Sequence, residues 1–216
     1  MLRLTDVTKN LLIINVLVYF GAMFLLGQPA YPPQAFGDWG MYMLGMFFPT
    51  SDFFRPYQII SHMFMHGSIT HLFFNMFALF MFGPPLETLW GPKRFLFYYL
   101  FAGFGALGLQ LLVQWIELNN GSVPQASVNI PMVGASGAIF GILAGFGMKF
   151  PNSVIQLIFP PIPMKAKYFV IIFAGLELVF GLSGRQSGIA HFAHVGGALF
   201  GVLLILYWNR FGSRLE

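Results

Sequence analysis

Six apolar segments separated by more polar connections are the feature that most limits how this chain can fold. They cover residues 11–26, 57–82, 95–115, 136–150, 168–182 and 189–208. The ranges 57–82, 95–115 and 189–208 have the 20 or more residues that a helix needs to cross the hydrocarbon core of a bilayer, and the other three have 15 or 16. With 57% hydrophobic and 8% charged residues, the chain also lacks the polar surface of a soluble globule. We predict an all-α membrane protein, a bundle of six transmembrane helices forming one domain over residues 1–216.

The N-terminal part needs two further interpretations. Arg3 and Lys9 precede the first apolar segment as in a signal peptide, but no small-x-small cleavage site follows, so we expect a retained span. The connection at 27–56 is rich in proline and contains a Trp- and Met-rich piece at 39–48. We expect that piece to lie in the membrane interface rather than to cross it.

The distribution of basic residues predicts the orientation. If six spans cross the membrane, two basic residues face one side, Arg55 and Arg185. The other side holds the remaining nine: Arg3, Lys9, Lys93, Arg94, Lys149, Lys165, Lys167, Arg210 and Arg214. By the positive-inside rule both termini are cytoplasmic, and the start of the fourth span faces outward. Because these residues are scattered, the net charge of +4 does not indicate nucleic-acid binding. The absence of cysteine excludes disulfides, thiolate metal sites and a cysteine nucleophile.

The run Gly134-Ala135-Ser136-Gly137 places one hydroxyl where a polar loop leads into the short fourth segment. Ser136 is therefore predicted at a helix N-terminus, where unpaired backbone N–H groups face an oxyanion formed on an attacked acyl group. A packing role is the alternative, since Gly137, Gly141 and Gly145 recur every four residues and suit a close helix contact. The usual Gly-x-Ser-x-Gly nucleophile elbow does not match.

Depth separates the five histidines. Counting about 1.5 Å per residue from the cytoplasmic ends places Ser136 roughly 20 Å, His194 roughly 24 Å and His71 roughly 18 Å up the span. The same count puts the others nearer the outer surface, at roughly 26 to 32 Å: His62, His66 and His191. A lone intramembrane histidine is often a hydrogen-bonding link between helices. Ionisable groups at this depth are costly, however, and indicate function.

Two helical patterns surround these histidines. His71 and Asn75 are spaced i, i+4, so one helical face offers two side-chain donors. His194 is followed by glycines that allow close helix approach, and their natural neighbour is the glycine face of the fourth segment. These glycines are Gly196, Gly197 and Gly201.

At these residues the chain resembles the rhomboid intramembrane serine proteases of the basic six-helix prokaryotic type. The matching elements are Gly134-Ala135-Ser136-Gly137, Ala193-His194-Val195-Gly196-Gly197, and the run from His66 through His71 to Asn75. The resemblance implies a Ser136–His194 dyad without a third member. It also implies an oxyanion site formed by His71, Asn75 and the Ser136 N–H, and Phe140 packed on the catalytic imidazole.

The same resemblance implies an enzyme of the bacterial inner membrane. Its partners would be the lipid bilayer and transmembrane protein substrates, cut near the outer face of the bilayer, with no cofactor, metal or nucleic acid. One departure stands out. Tyr57-Gln58 replaces the family's Trp-Arg pair, and loop rigidity or lipid contact is expected to differ. Glu87, Trp90 and Gly91 fit the family's acidic turn, which we interpret as structural, with a solvated cap as the simplest role.

Other chemistries receive less support. Glu177, at roughly 15 Å up its span, is expected below the dyad as a contact between spans. His62 and His66 are spaced to share a metal, but no third ligand is apparent. A catalytically inactive relative that binds transmembrane helices remains the main alternative. A small-solute transporter would require paired broken helices near the midplane of the membrane, and a single short span is weak evidence for them.

Overall fold

The computed structural model describes residues 4–25, 39–156, 162–183 and 190–211, and most of these are helical. Five of the helices are long and apolar enough to cross a membrane. They are α1 (Asp6–Leu25), α4 (Ile69–Trp90), α5 (Pro92–Asn119), α7 (Ala166–Ser183) and α8 (His191–Phe211). The sixth apolar helix, α6 (Ser136–Lys149), has 14 residues, as predicted for a short helix that starts at the serine. The prediction of an all-α membrane bundle is confirmed.

The predicted start of the second span was wrong. Residues 57–82 do not form one helix, because α3 ends after one turn (Gln58–Ser61) and α4 begins only at Ile69. The Ser68 hydroxyl accepts a hydrogen bond from the His71 N–H at 3.1 Å, which is an N-cap interaction that starts the new helix. At the other end, α4 continues past residue 82, and Gly91 with φ +76° follows its last residue.

The connections contain elements that the apolar pattern did not predict. Within the piece at 39–48, a short helix α2 (Trp39–Leu44) forms, and a 3₁₀ turn (Gln125–Asn129) precedes the serine motif. Strands β1 (Val154–Gln156) and β2 (Pro163–Lys165) pair in an antiparallel ladder between α6 and α7. The interfacial position of the 39–48 piece stays a prediction.

The chain divides into two compact units. The first comprises residues 1–81 and 111–136, and the second residues 82–110 and 137–216. Helices α4 and α5 contribute residues to both units. The prediction of a single domain over residues 1–216 stays a prediction.

In the first unit, the connection after α2 is held by the segment that precedes Ser136. Met46 and Met132 exchange two backbone hydrogen bonds of 2.9 Å, and the Ser51 hydroxyl lies 2.7 Å from the Asn129 side-chain oxygen. Phe47, between these contacts, is fully buried. The approach to the serine is therefore fixed by hydrogen bonds and by burial of a large apolar side chain.

In the second unit, α6 and α8 approach through glycine, as the sequence predicts. A Cβ atom on Gly197 would overlap the Gly137 carbonyl oxygen, and one on Gly201 would lie 3.1 Å from the Gly141 Cα. Gly145 has a different neighbour, because a Cβ there would lie 2.9 Å from the Tyr98 hydroxyl of α5. Glycine is required where the two backbones meet.

Candidate active site

Helix α6 begins at Ser136, which confirms the predicted N-terminal position. As the first helical residue, Ser136 has no carbonyl four residues earlier in the helix to accept its N–H. Gly134, two residues before, has φ +128°, a conformation that favours glycine. Its N–H donates to the His62 carbonyl at 2.8 Å, so the turn into α6 is tied to the segment before α4.

His71 lies beside this turn. A methyl group on Gly134 would lie 2.7 Å from His71 Cε1, 2.9 Å from His71 Nε2 and 3.6 Å from Ser136 Oγ. The His71 imidazole and the Ser136 hydroxyl therefore both lie on the side of Gly134 where the Cβ of any other residue would be. Any larger residue at position 134 would have to displace the ring or the hydroxyl.

The contacts of the His71 ring define its tautomer. The Gly67 N–H points to Nδ1 at 3.4 Å, so Nδ1 acts as the acceptor. A neutral imidazole whose Nδ1 accepts carries its proton on Nε2. Nε2 is also the nitrogen nearer to Gly134, so His71 directs an N–H donor toward the turn that carries Ser136.

Asn75 follows His71 by one turn of α4 and is 6% exposed. Among the described residues, its Nδ2 has no hydrogen-bond acceptor. An amide N–H₂ that is buried without a partner is costly, and such a group indicates a position where a ligand or water accepts the bond.

The neighbouring histidines outside the spans are held neutral. His66 is fully buried, and its ring meets the His71 ring edge-on with 5.0 Å between centroids. Burial first, and then the charge of a protonated His71, lowers the pKa of His66 to about 3. Burial also lowers the pKa of His62, whose Nδ1 lies 2.8 Å from the Gln58 carbonyl. Since Nδ1 of His62 is already engaged, only its Nε2 could serve the metal alternative that the spacing of His62 and His66 raised.

In the second unit, His194 packs on Phe140 of α6. The two rings are stacked with 4.4 Å between centroids and 5° between planes. This confirms the aromatic contact that the resemblance implies. A ring stacked against another ring has less freedom to rotate about χ2, so Phe140 restrains the plane of the imidazole.

Glu177 contacts two histidines of α8, which the depth count did not predict. Its Oε2 lies 2.6 Å from His191 Nδ1 and 2.9 Å from His194 Nδ1. The expectation of a contact between spans is confirmed, and its placement below the level of His194 was wrong. Counting along each helix assumes that all helices start at one depth with equal tilt. The i, i+3 spacing of His191 and His194 is the sequence signal that was available, since it places both rings on one helix face.

Gln58, at the departure from the family pattern, and Glu87, in the acidic turn, are both buried. Gln58 is 1% exposed, and its side chain bonds the Arg55 N–H at 2.9 Å and the carbonyls of Phe53 and Met43 at 3.2 and 3.3 Å. Gln58 therefore joins three points of the connection in which the family has its Trp-Arg pair. Glu87 is buried rather than part of a solvated cap, which corrects that expectation.

Comparison with known proteins defines the family. A sequence model of the Rhomboid domain matches residues 54–211. Rhomboid protease AarA of Providencia stuartii is 30% identical over 91% of this chain and 70% of its own length. The mitochondrial Rhomboid protein 1 of Saccharomyces cerevisiae is 33% identical over 71% of this chain and 42% of its own length. The chloroplastic Rhomboid-like protein 11 of Arabidopsis thaliana is 31% identical over 73% and 54%.

The chain belongs to the rhomboid family. Together with the apolar helices, membership makes it an integral membrane protein. The protease-named relatives support intramembrane protease activity in general. The residues that the sequence predicts for such an activity fall into two groups, Ser136, His71 and Asn75 in the first unit and His194 with Phe140 in the second.

Proposed function

We propose that this protein is an intramembrane serine endopeptidase that uses a Ser136–His194 dyad. The observation that carries the proposal is the arrangement around Gly134. There the serine hydroxyl at a helix N-terminus and the donor nitrogen of His71 border one small space. Family membership and the protease-named relatives support the same reaction class.

The chemistry requires Ser136 Oγ to reach His194 Nε2. Nε2 takes the hydroxyl proton as Oγ bonds to the scissile carbonyl carbon, and it then gives that proton to the leaving amine as the C–N bond breaks. Water attacks the resulting acyl-enzyme, with His194 again as base, and releases the carboxylate product and the free serine. The Ser136 N–H, His71 Nε2–H and Asn75 Nδ2–H are the proposed donors to the oxyanion.

The substrates we propose are transmembrane segments of other proteins, cut near the outer face of a bacterial inner membrane, with both termini of the enzyme cytoplasmic. An intact helix hides its carbonyls in hydrogen bonds, so a substrate must unwind locally before cleavage. Glycine or proline near the cut lowers that cost by roughly 1 to 3 kcal/mol per residue on soluble-helix scales. We therefore expect cleavage to accelerate when a Gly-Pro pair lies just beyond the cut site.

The test is labelling by a fluorophosphonate probe together with cleavage of a transmembrane substrate in detergent or liposomes. Ser136→Ala is expected to lose both labelling and cleavage, and His194→Ala to lose cleavage. The double variant is expected to be no worse, because the pair acts as a unit. Ser122→Ala, an exposed serine in a turn, serves as the matched control. Folded Ser136→Ala that still cleaves would overturn the proposal, and wild-type protein that binds substrate without labelling would favour the inactive relative.

A further inference from the structure

We propose that Glu177 is a positioning residue for catalysis: its carboxylate, shared with His191, lies against Nδ1 of His194 and favours the tautomer in which Nε2 is the proton-accepting nitrogen. This inference rests on the proposed function of His194 as the base. It extends the dyad by a carboxylate from α7 and a second histidine from α8.

The geometry places one carboxylate oxygen between two imidazoles. Glu177 Oε2 lies 2.6 Å from His191 Nδ1 and 2.9 Å from His194 Nδ1. The three side chains are 17%, 6% and 12% exposed in the order Glu177, His191, His194. A carboxylate in an apolar helix is costly unless compensating groups lie beside it, and here His191 hydrogen-bonds the oxygen while His194 lies within ion-pair distance of it.

The carboxylate selects the tautomer of His194. An ionised carboxylate has only acceptor sites, so His191 donates to it from Nδ1, and the negative charge 2.9 Å from His194 Nδ1 favours a proton on that nitrogen as well. A neutral His194 with its proton on Nδ1 has a lone pair on Nε2, which is the form that a general base needs. When Nε2 takes the serine proton, the adjacent negative charge compensates the charge of the imidazolium.

His191 and Phe140 complete the support of His194. His191 is buried and makes the shorter contact to Glu177, so it fixes the carboxylate in place. Phe140 covers one face of the His194 ring. An aromatic side chain therefore restrains the ring on one face and a carboxylate lies at Nδ1, while Nε2 is the nitrogen that takes part in the proposed reaction.

A metal ion explains these distances less well. Tetrahedral zinc with bonds of 2.0 to 2.1 Å separates its ligand atoms by about 3.3 Å. The 2.6 Å between Glu177 Oε2 and His191 Nδ1 is a hydrogen-bond distance and too short for two ligands of one ion. The group of Glu177, His191 and His194 is thus assigned to proton positioning.

The decisive variant is Glu177→Gln, with Glu117→Gln of α5 as the matched control for the same chemical change. We expect Glu177→Gln to lower kcat by at least about 10-fold, and by up to about 10⁴-fold as when the carboxylate of a serine-protease triad is neutralised. KM and the melting temperature in detergent are expected to stay unchanged. Glu177→Asp, which keeps the charge, is expected to recover part of kcat. In a His194→Ala background, Glu177→Gln is expected to cause no further loss.

Two results would overturn the inference. One is wild-type kcat in Glu177→Gln while Ser136→Ala is inactive, which would leave the dyad standing alone. The other is a parallel fall of kcat and melting temperature that Asp does not relieve, which would make Glu177 a structural link between α7 and α8. Failure of the proposed function is distinct, because the wild-type protein itself would then show no labelling and no cleavage.

Discussion

The two pairs of histidines in this protein occupy different electrostatic surroundings. In the first unit, His66 is fully buried, and His71 receives a backbone N–H from Gly67 and the edge of the His66 ring. In the second unit, His191 and His194 share the Glu177 carboxylate. The same side chain is thus placed once among neutral groups and once beside a negative charge.

This difference indicates different roles. A histidine whose Nδ1 accepts a backbone N–H has the hydrogen-bond donor of its neutral ring on Nε2, which suits His71 as the proposed oxyanion donor. A histidine beside a carboxylate is able to take a proton and hold the charge, which suits His194 as the base. The surroundings of each ring separate the two functions more clearly than its position in the sequence does.

The largest effect that would sharpen this comparison is on turnover. His71→Ala and Asn75→Ala are each expected to lower kcat by about 10- to 1,000-fold, because each removes one proposed oxyanion donor. Fluorophosphonate labelling of Ser136 is expected to survive better than peptide cleavage. Asn119→Ala, at the exposed end of α5, is the control. Cleavage at the wild-type rate in both variants would reduce His71 and Asn75 to structural links.

A second, smaller effect concerns the turn that His71 borders. Gly134→Ala places a methyl group 2.7 Å from His71 Cε1 at a residue whose φ is +128°. We expect a stability loss of about 1 to 3 kcal/mol, measured by unfolding in detergent. Gly67→Ala is the matched control, because its new Cβ would meet only Val133 Cγ2, at 3.8 Å. Equal stability of the two variants would show that the Gly134 backbone relaxes without cost.

The smallest effect is on the pH dependence of stability. The pKa of His66 is lowered to about 3, below its ordinary value of 6.5, so the folded state favours the neutral ring. The resulting stabilisation is present above pH 6.5 and is lost as the pH falls from 6.5 toward 3. Between pH 6.5 and 5 the loss amounts to as much as about 2 kcal/mol.

His66→Leu, which cannot titrate, tests this directly through melting temperatures at pH 7.5 and 5. We expect the acid-induced decrease to be smaller in the variant than in the wild type. Burial also lowers the pKa of His62. The contribution of His62 to the acid-induced decrease in melting temperature is therefore the same in both proteins. An identical decrease in the two proteins would mean that His66 is protonated without penalty in the fold.

The sequence by itself determined the membrane class, the short helix at Ser136 and the glycine contact between α6 and α8. These features follow from local composition and spacing, since apolar length defines a span and small residues at every fourth position define a packing face. The start of α4 was not predictable from hydropathy. The residues between Gln58 and Ile69 are apolar enough for a span, and the chain turns there through Ser68 instead.

Only the tertiary structure decided which groups surround each histidine. The sequence identifies Glu177 as an acid in an apolar segment, but its partners depend on the tilt and starting depth of α7 and α8, and a residue count gives neither. Likewise, the Nε2 proton of His71 depends on the Gly67 N–H, and the space beside Gly134 depends on a backbone angle. Distances between side chains on different elements arise from packing, so the chemistry of each ring is defined only in the folded chain.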